Sequence, residues 1–253
     1  MARSGTQSLE RGAQLLRELA ARGTVGWRLS ELARRCGLDK GTAHRMIGCF
    51  VRERLARQRA DRRYVPGPLL YELSLALPAY AAFQSDATAH LEEAARKLRA
   101  HAFLCLRSGA DFVCAANAGV SSVKGLAHEV GLRRPLAVSA GGAAILVALP
   151  GDEAAGLVAD NLRRIEAAGE VRLRAVDRML RRSRAHGFGI HLGDIVPRVN
   201  TYGVAIRLAG APFASVSLAA RAEDLPPSRL PQVLGALEEG ARRIAADAAR
   251  LLS

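Results

Sequence analysis

Two helical patterns separated by a three-residue break, Gly37-Leu38-Asp39, most constrain what this chain can fold into. The first starts near Ser30, a good N-cap, turns Leu32, Ala33 and Cys36 inward, and stops at Gly37, where a positive φ costs little. The second opens on Asp39 and runs to about Arg54. Its apolar residues Ala43, Met46, Ile47, Phe50 and Val51 fall at i, i+3, i+4, i+7 and i+8 and form one buried stripe. At 100° per residue the opposite face carries Gly41, Arg45, Gly48 and Arg52, with Thr42 and His44 on its flanks. Glycines let a duplex backbone come close, and arginines bond guanine edges or phosphates. Gly48 costs about 1 kcal/mol against alanine in mid-helix, so either docking or relief of crowding inside the domain is expected there.

A preceding helix, Ser8–Ala21 with Ser8 as cap, presents Leu9, Ala13, Leu16 and Leu19 on one face. A short hairpin follows the second pattern, Leu55–Arg59 against Arg62–Val65 around Ala60-Asp61. It carries Arg57, Arg59, Arg62 and Arg63, which can reach phosphates or the minor groove. Short helix, tight turn, amphipathic basic helix and basic hairpin in series predict a winged helix-turn-helix.

The charge follows this division. The chain of 253 residues has a net charge of +13. Residues 1–65 hold 15 Lys+Arg against six acids, a net +9, and the other 188 residues are nearly balanced. A basic module on a larger neutral one is the footprint of a nucleic-acid reader with a second task, although a basic, solvated surface alone gives the same count.

From Leu69 to Phe83 a linker helix is expected, with Leu69, Leu73 and Leu77 as a dimerisation stripe and Pro78 kinking or ending it. A mixed-charge helix, Asp86–Ala100, comes next. Phe103–Leu106 and Phe112–Ala115 flank Ser108-Gly109, and Val204–Leu208 and Phe213–Leu218 flank Gly210-Ala211-Pro212, so both pairs read as hairpins. Helices are expected over Ser139–Leu149, Val171–His186 and Leu230–Leu252. Helices mixed with hairpins predict an α+β layer rather than repeated βαβ units. The expected organisation is residues 1–66 as the DNA-binding domain, 67–84 as the linker helix and 85–253 as the second domain.

Two features point to a small-molecule pocket there. Ala140 and Gly141 open the small-residue helix, whose free N–H groups suit an anion. Ser215 and Ser217 alternate along one strand and share a face. They line a pocket, or they are two serines on a solvated face. Val123 and Leu126 are candidates for an apolar wall.

The ordered set of motifs resembles the IclR family of bacterial transcriptional regulators. Leu29–Ile47 (LSELARRCGLDKGTAHRMI) is similar to its helix-turn-helix, and Arg62–Leu70 (RRYVPGPLL) to its wing exit and linker. Gly131–Leu146 (GLRRPLAVSAGGAAIL), Arg184–Ile190 (RAHGFGI) and Phe213–Leu218 (FASVSL) resemble landmarks of its effector domain in the right order. The resemblance implies a GAF-like antiparallel sheet with helices, holding a small organic or aromatic acid beside the small-residue helix. It implies double-stranded DNA as partner and a homodimer or homotetramer. Lys40, Gly41, Thr42, His44, Arg45, Arg52, Arg59, Arg62 and Arg63 are the candidate DNA contacts. Three positions depart from the family pattern. His191 stands where an acid is frequent, Thr201 where Cys is frequent, and Ala143 where Lys is usual. His191 and Thr201 are expected to adapt the pocket to a different ligand.

No P-loop, G-x-G-x-x-G or complete nucleophile elbow is present, and neither C-x-x-C nor H-x-x-x-H spacing occurs. No cofactor, metal or catalysis is therefore expected. Without a membrane-length apolar run or an apolar leader in Met1–Glu10, a cytoplasmic protein is expected. A sequence-tolerant architectural DNA binder without effector is the alternative, and an enzyme built on the second domain a more distant one.

Overall fold

The computed structural model describes residues 6–119, 129–166 and 169–252. It divides into two compact units, Met1–Pro78 with Gly131–Arg133, and Ala79–Val130 with Arg134–Ser253.

The first unit contains α1 (Gln7–Ala21), α2 (Leu29–Arg35), α3 (Lys40–Arg52), a hairpin of β1 (Ala56–Gln58) with β2 (Tyr64–Pro66), and α4 (Pro68–Ser74). Its core joins Leu15, Leu19, Trp27, Leu32, Cys36, Ile47, Ala56 and Tyr64. Between α2 and α3 the chain turns at Gly37 with φ +62°. Asp39 caps α3 by accepting the Thr42 N–H at 2.8 Å. Trp27 exchanges two backbone hydrogen bonds with Tyr64 and so adds a one-residue bridge beside the wing.

Several local expectations need correction. α1 begins one residue earlier than expected, with Thr6 rather than Ser8 at its cap. Its buried residues are Gly12, Leu15 and Leu19, whereas Leu9 and Ala13 are exposed. α2 begins at Leu29, and its first turn is closed by the Glu31 carboxylate accepting the Arg28 N–H (3.3 Å), not by Ser30. α3 ends at Arg52, and Val51 in its last turn is exposed rather than part of the stripe. The wing strands are shorter than expected, because the loop from Arg59 to Arg63 closes on its own hydrogen bonds (Arg59 N–H to Arg63 O, Arg62 N–H to Arg59 O).

The single linker helix expected over Leu69–Phe83 is replaced by two helices, α4 and α5 (Pro78–Leu98). Pro78 starts α5 instead of ending a helix, since its missing N–H is one that the first turn leaves unpaired anyway. Asp86–Leu98 is the remainder of that helix, not a separate one.

In the second unit six strands form one sheet in the order β5-β4-β3-β8-β7-β6. They are β3 (His101–Ser108), β4 (Asp111–Ala118), β5 (Arg133–Pro135), β6 (Gly189–Leu192), β7 (Val199–Leu208) and β8 (Ala211–Arg221). The β7–β8 turn is tighter than expected: Ala209 and Gly210 both have positive φ, and Ala211 and Pro212 already belong to β8. One sheet face packs on α5 and α9 (Leu230–Leu252), where Ala102, Leu104, Tyr202, Val216 and Leu218 meet Phe83, Leu91, Leu98, Leu237 and Ile244. His90 of α5 and Asp247 of α9 clasp the two helices at 2.9 Å.

The opposite face carries α6 (Ala140–Ala148), with α7 (Gly151–Ile165) and α8 (Glu170–His186) in the same unit. α7 has no counterpart in the sequence reading. Its Asn161 is fully buried, accepts the Ala137 N–H at 2.8 Å and donates to Ala110 O at 2.9 Å. It thereby fixes the 3-10 turn Leu136–Val138 that leads into α6. α6 is built from AGGAAILVA and lies very close to the sheet. A Cβ on Gly189 would stand 1.8 Å from Ala140 O, and one on Gly203 would be 3.2 Å from the same atom. Those two glycines face each other across β6 and β7.

Candidate DNA interface and ligand pocket

The outer face of α3 is bare. Lys40, Gly41, His44, Arg45 and Arg52 are exposed, with Thr42 and Gly48 half-buried. Capping Asp39 is held below the usual carboxylate range, chiefly by hydrogen bonds from Thr42. A Cβ on Gly48 would meet nothing closer than the Arg52 guanidinium at 4.0 Å. Crowding inside the domain therefore does not explain this glycine. Arg45 donates to the Thr42 hydroxyl at 3.1 Å, which lays its guanidinium along the start of the helix.

The wing arginines divide into two kinds. Arg59 donates to Thr24 O at 2.7 Å, and Arg63 to Gly26 O at 3.2 Å. Both also lie within ion-pair distance of Asp61. These two side chains tie the wing to the α1–α2 connection. Arg62, at φ +62°, and Arg57 are both exposed and make no ion pair among the described residues.

The pocket of the second unit encloses about 70 Å³ between the sheet and the start of α6. Ser139 caps α6 by accepting the Gly142 N–H at 3.0 Å. This leaves the N–H groups of Ala140 and Gly141 at the helix mouth, beside the cavity that both residues line. Strand alternation brings Phe103 and Cys105 of β3, Thr201 of β7, and Ser217 and Ala219 of β8 to the same cavity. Ser215 and Ser217 do share a face, and it is buried rather than solvated. Ser217 lines the cavity, while Ser215 lies beneath Gly141. Its Oγ would be 3.0 Å from a Cβ there and has no hydrogen-bond partner among the described residues. Val123 and Leu126 lie outside the described residues.

His191 and Thr201, two of the departures from the family pattern, are direct partners across β6 and β7, and both line the cavity. His191 is 4% exposed. Its Nε2 accepts the N–H groups of Ile195 (2.9 Å) and Val196 (3.1 Å). Nε2 therefore carries no proton, and the neutral ring holds its proton on Nδ1. Nδ1 is buried without a hydrogen-bond partner among the described residues. Burial pulls the His191 pKa below 6.5, against the opposing charge of Asp194. Asp194 is itself tied to Arg182 at 2.7 Å. The third departure, Ala143, is fully buried within α6, where a lysine would bring a charge into the core.

A group whose pKa falls on folding is protonated first in the unfolded chain. The His191 contribution to stability is therefore complete above pH 6.5 and lost as the pH falls toward its folded value. His101, also lowered by burial, acts in the same direction. The thermal midpoint of the full chain is expected to drop between pH 7.5 and 5.5. His191→Gln, which keeps a neutral acceptor for Ile195 and Val196, should shrink that drop. An unchanged drop would assign the pH dependence elsewhere.

Sequence reasoning missed the remaining polar lining, Arg134 and Arg172. Arg134 lies on edge strand β5 and Arg172 in the first turn of α8, and no periodicity links them. Among the described residues no group of three or more His, Cys, Asp or Glu is placed to hold a metal. No described helix is long and apolar enough to cross a membrane.

Residues 8–60 match the IclR helix-turn-helix domain. No curated protein matches the chain. Among solved structures, an IclR family transcriptional regulator from Brucella abortus superposes with a TM-score of 0.75 at 21% identity, covering 97% of this chain and 96% of that one. An IclR homolog from Microbacterium hydrocarbonoxydans, complexed with 4-hydroxybenzoate, superposes with a TM-score of 0.66 at 23% identity, covering 96% and 99%. A third, from Silicibacter sp. TM1040, gives a TM-score of 0.77 at 19% identity, covering 96% of each chain. The helix-turn-helix of residues 8–60 is thus an IclR domain, and the chain folds throughout as IclR-family transcriptional regulators do.

Proposed function

We propose that the protein is a cytoplasmic, non-catalytic regulator that reads a near-palindromic operator as a dimer or tetramer and changes its DNA binding when a small organic acid enters the second unit. The observation that carries this reading is the outer face of α3, on which Lys40, Gly41, His44, Arg45 and Arg52 are all exposed. α3 enters the major groove. Lys40, Gly41, Thr42, His44 and Arg45 meet base edges and phosphates near its N-terminus, as that end of a recognition helix does. Arg52 and wing residue Arg62 follow the backbone. Arg59 and Arg63 contact it only alongside their bonds to the α1–α2 connection. Tyr71, Leu73, Leu75 and Leu77 are each exposed by half or more, which supports self-association through this stretch.

The pocket supports the acid. The α6 mouth offers free N–H groups, and His191 adds a neutral donor, with Ala140, Gly141, Thr201 and Ser217 around them. The 4-hydroxybenzoate held by the Microbacterium homolog is an acid of this class. Binding to a duplex from the DNA upstream of the gene, with a scrambled duplex alongside and salt varied, tests the reading. The upstream duplex should be preferred, and an effector acid should shift its affinity. Arg45→Ala should weaken that complex by about 1–3 kcal/mol and relax base preference. Uniform weakening on every sequence would make Arg45 a phosphate contact. Equal, steeply salt-dependent binding to all duplexes would favour the architectural alternative.

A further inference from the structure

The pocket has a second set of anion-binding groups that a monocarboxylic acid leaves unused. None of its lining residues is acidic, yet it contains Arg134 and Arg172. Arg172 is half-buried and Arg134 more exposed. Two other arginines of the second unit are matched with carboxylates, Arg182 with Asp194 (2.7 Å) and Arg164 with Asp111 (2.8 Å), whereas Arg207 bonds the backbone carbonyls of Gly210 and Ala148. Among the described residues Arg134 and Arg172 make no such pair. The chain outside those residues, 1–5, 120–128, 167–168 and 253, contains no Asp or Glu side chain to complete one.

The two guanidiniums also feel each other. Burial lowers the Arg134 pKa, and the charge of Arg172 lowers it further. Two like charges brought together at a cavity without a counter-charge favour an anion between them. This pair is separate from the first set of donors. Arg134 comes from β5 and His191 from β6, and both line the one cavity. At the other end His191, 4% exposed, lines the cavity together with Ala140 and Gly141 at the α6 mouth.

We propose that the ligand is a short organic dianion, with one carboxylate at the α6 mouth and His191 and a second acidic group between Arg134 and Arg172. This rests on the pocket being the effector site. The second group is a carboxylate or a phosphate, which the arginine fork accepts alike.

Calorimetric titration of the full-length protein tests it. The probes are the C3–C6 straight-chain dicarboxylates, the monocarboxylates of equal length, and 3-phosphonopropionate. At least one dianion should bind about tenfold or more tightly than the monoacid of its length. A dicarboxylate leading identifies a diacid, and the phosphonate leading identifies a phosphorylated acid. Arg172→Gln and Arg134→Gln should each bring the ratio close to one, while Arg172→Lys, which keeps the charge, retains most of it. Equal binding of monoacids and dianions, or a ratio that survives both glutamine variants, overturns the dianion while leaving the acid-effector reading standing. No binding by any of these acids overturns the dianion, and no binding by 4-hydroxybenzoate in the same titration overturns the acid-effector reading as well.

Discussion

Alanine at position 189 is expected to destabilise the second unit by more than about 3 kcal/mol. The added Cβ would lie 1.8 Å from Ala140 O and 3.1 Å from Ala144 N, both backbone atoms of α6. A flexible side chain could move aside, but a helix packed against the sheet along its length cannot. The variant must lift α6 off β6 and β7, which opens the cavity and moves the N–H groups of Ala140 and Gly141. Urea unfolding should show a lower midpoint, and any acid that binds the wild type should bind far more weakly. Gly235→Ala is the matched control. That position lies on α9 with nothing within 4 Å of the new methyl, so alanine there should stabilise by about 0.4–1 kcal/mol. A Gly189→Ala midpoint equal to wild type would show that α6 does not sit this close.

Ile47→Ala is expected to cost about 2–5 kcal/mol, a large share of the stability of so small a unit. Ile47 is fully buried and packs in one cluster with Leu15, Leu19, Leu32 and Trp27. The variant should lose DNA binding on every sequence through unfolding, with helical signal and amide protection lost from the first unit. Arg45→Ala, by contrast, should keep the fold and change recognition. Ile47→Val should cost only about 0.5–1.5 kcal/mol and retain binding. Full DNA affinity and an unshifted transition in Ile47→Ala would remove Ile47 from the core.

These two positions differ in how openly the sequence shows them. Ile47 is visible at once, because it lies at the centre of an apolar stripe that only a helix can align. The phase of α1 is less visible. Leu9, Leu15, Leu16 and Leu19 occupy enough of its circumference for either of two faces to be buried. The choice falls to Gly12, whose place against Phe50 of α3 (3.5 Å from a built Cβ) lets the helices approach and turns Leu15 and Leu19 inward. Val51 failed as a core residue for a related reason: α3 ends one residue later, and its final turn extends beyond the core cluster. The extra residue Ala115 in β4 is another example. A register shift opposite Leu104 and Cys105 moves Phe112 and Ala116 to different faces although both are even-numbered.

What the sequence by itself determined is local: the turn at Gly37, the Asp39 and Ser139 caps, the charged face of α3, the hairpin positions, and the shared face of Ser215 and Ser217. Each follows from neighbours within a few residues and a fixed period of 3.6 or 2. Only the tertiary structure decided what converges. Register placed His191 opposite Thr201, the approach of α6 to Gly189 and Gly203 created the cavity beside them, and edge strand β5 and the first turn of α8 brought Arg134 and Arg172 to it. Convergence of this kind depends on contacts between residues tens of positions apart. No local spacing encodes them, because their strength comes from packing that exists only once the sheet and its helices have closed.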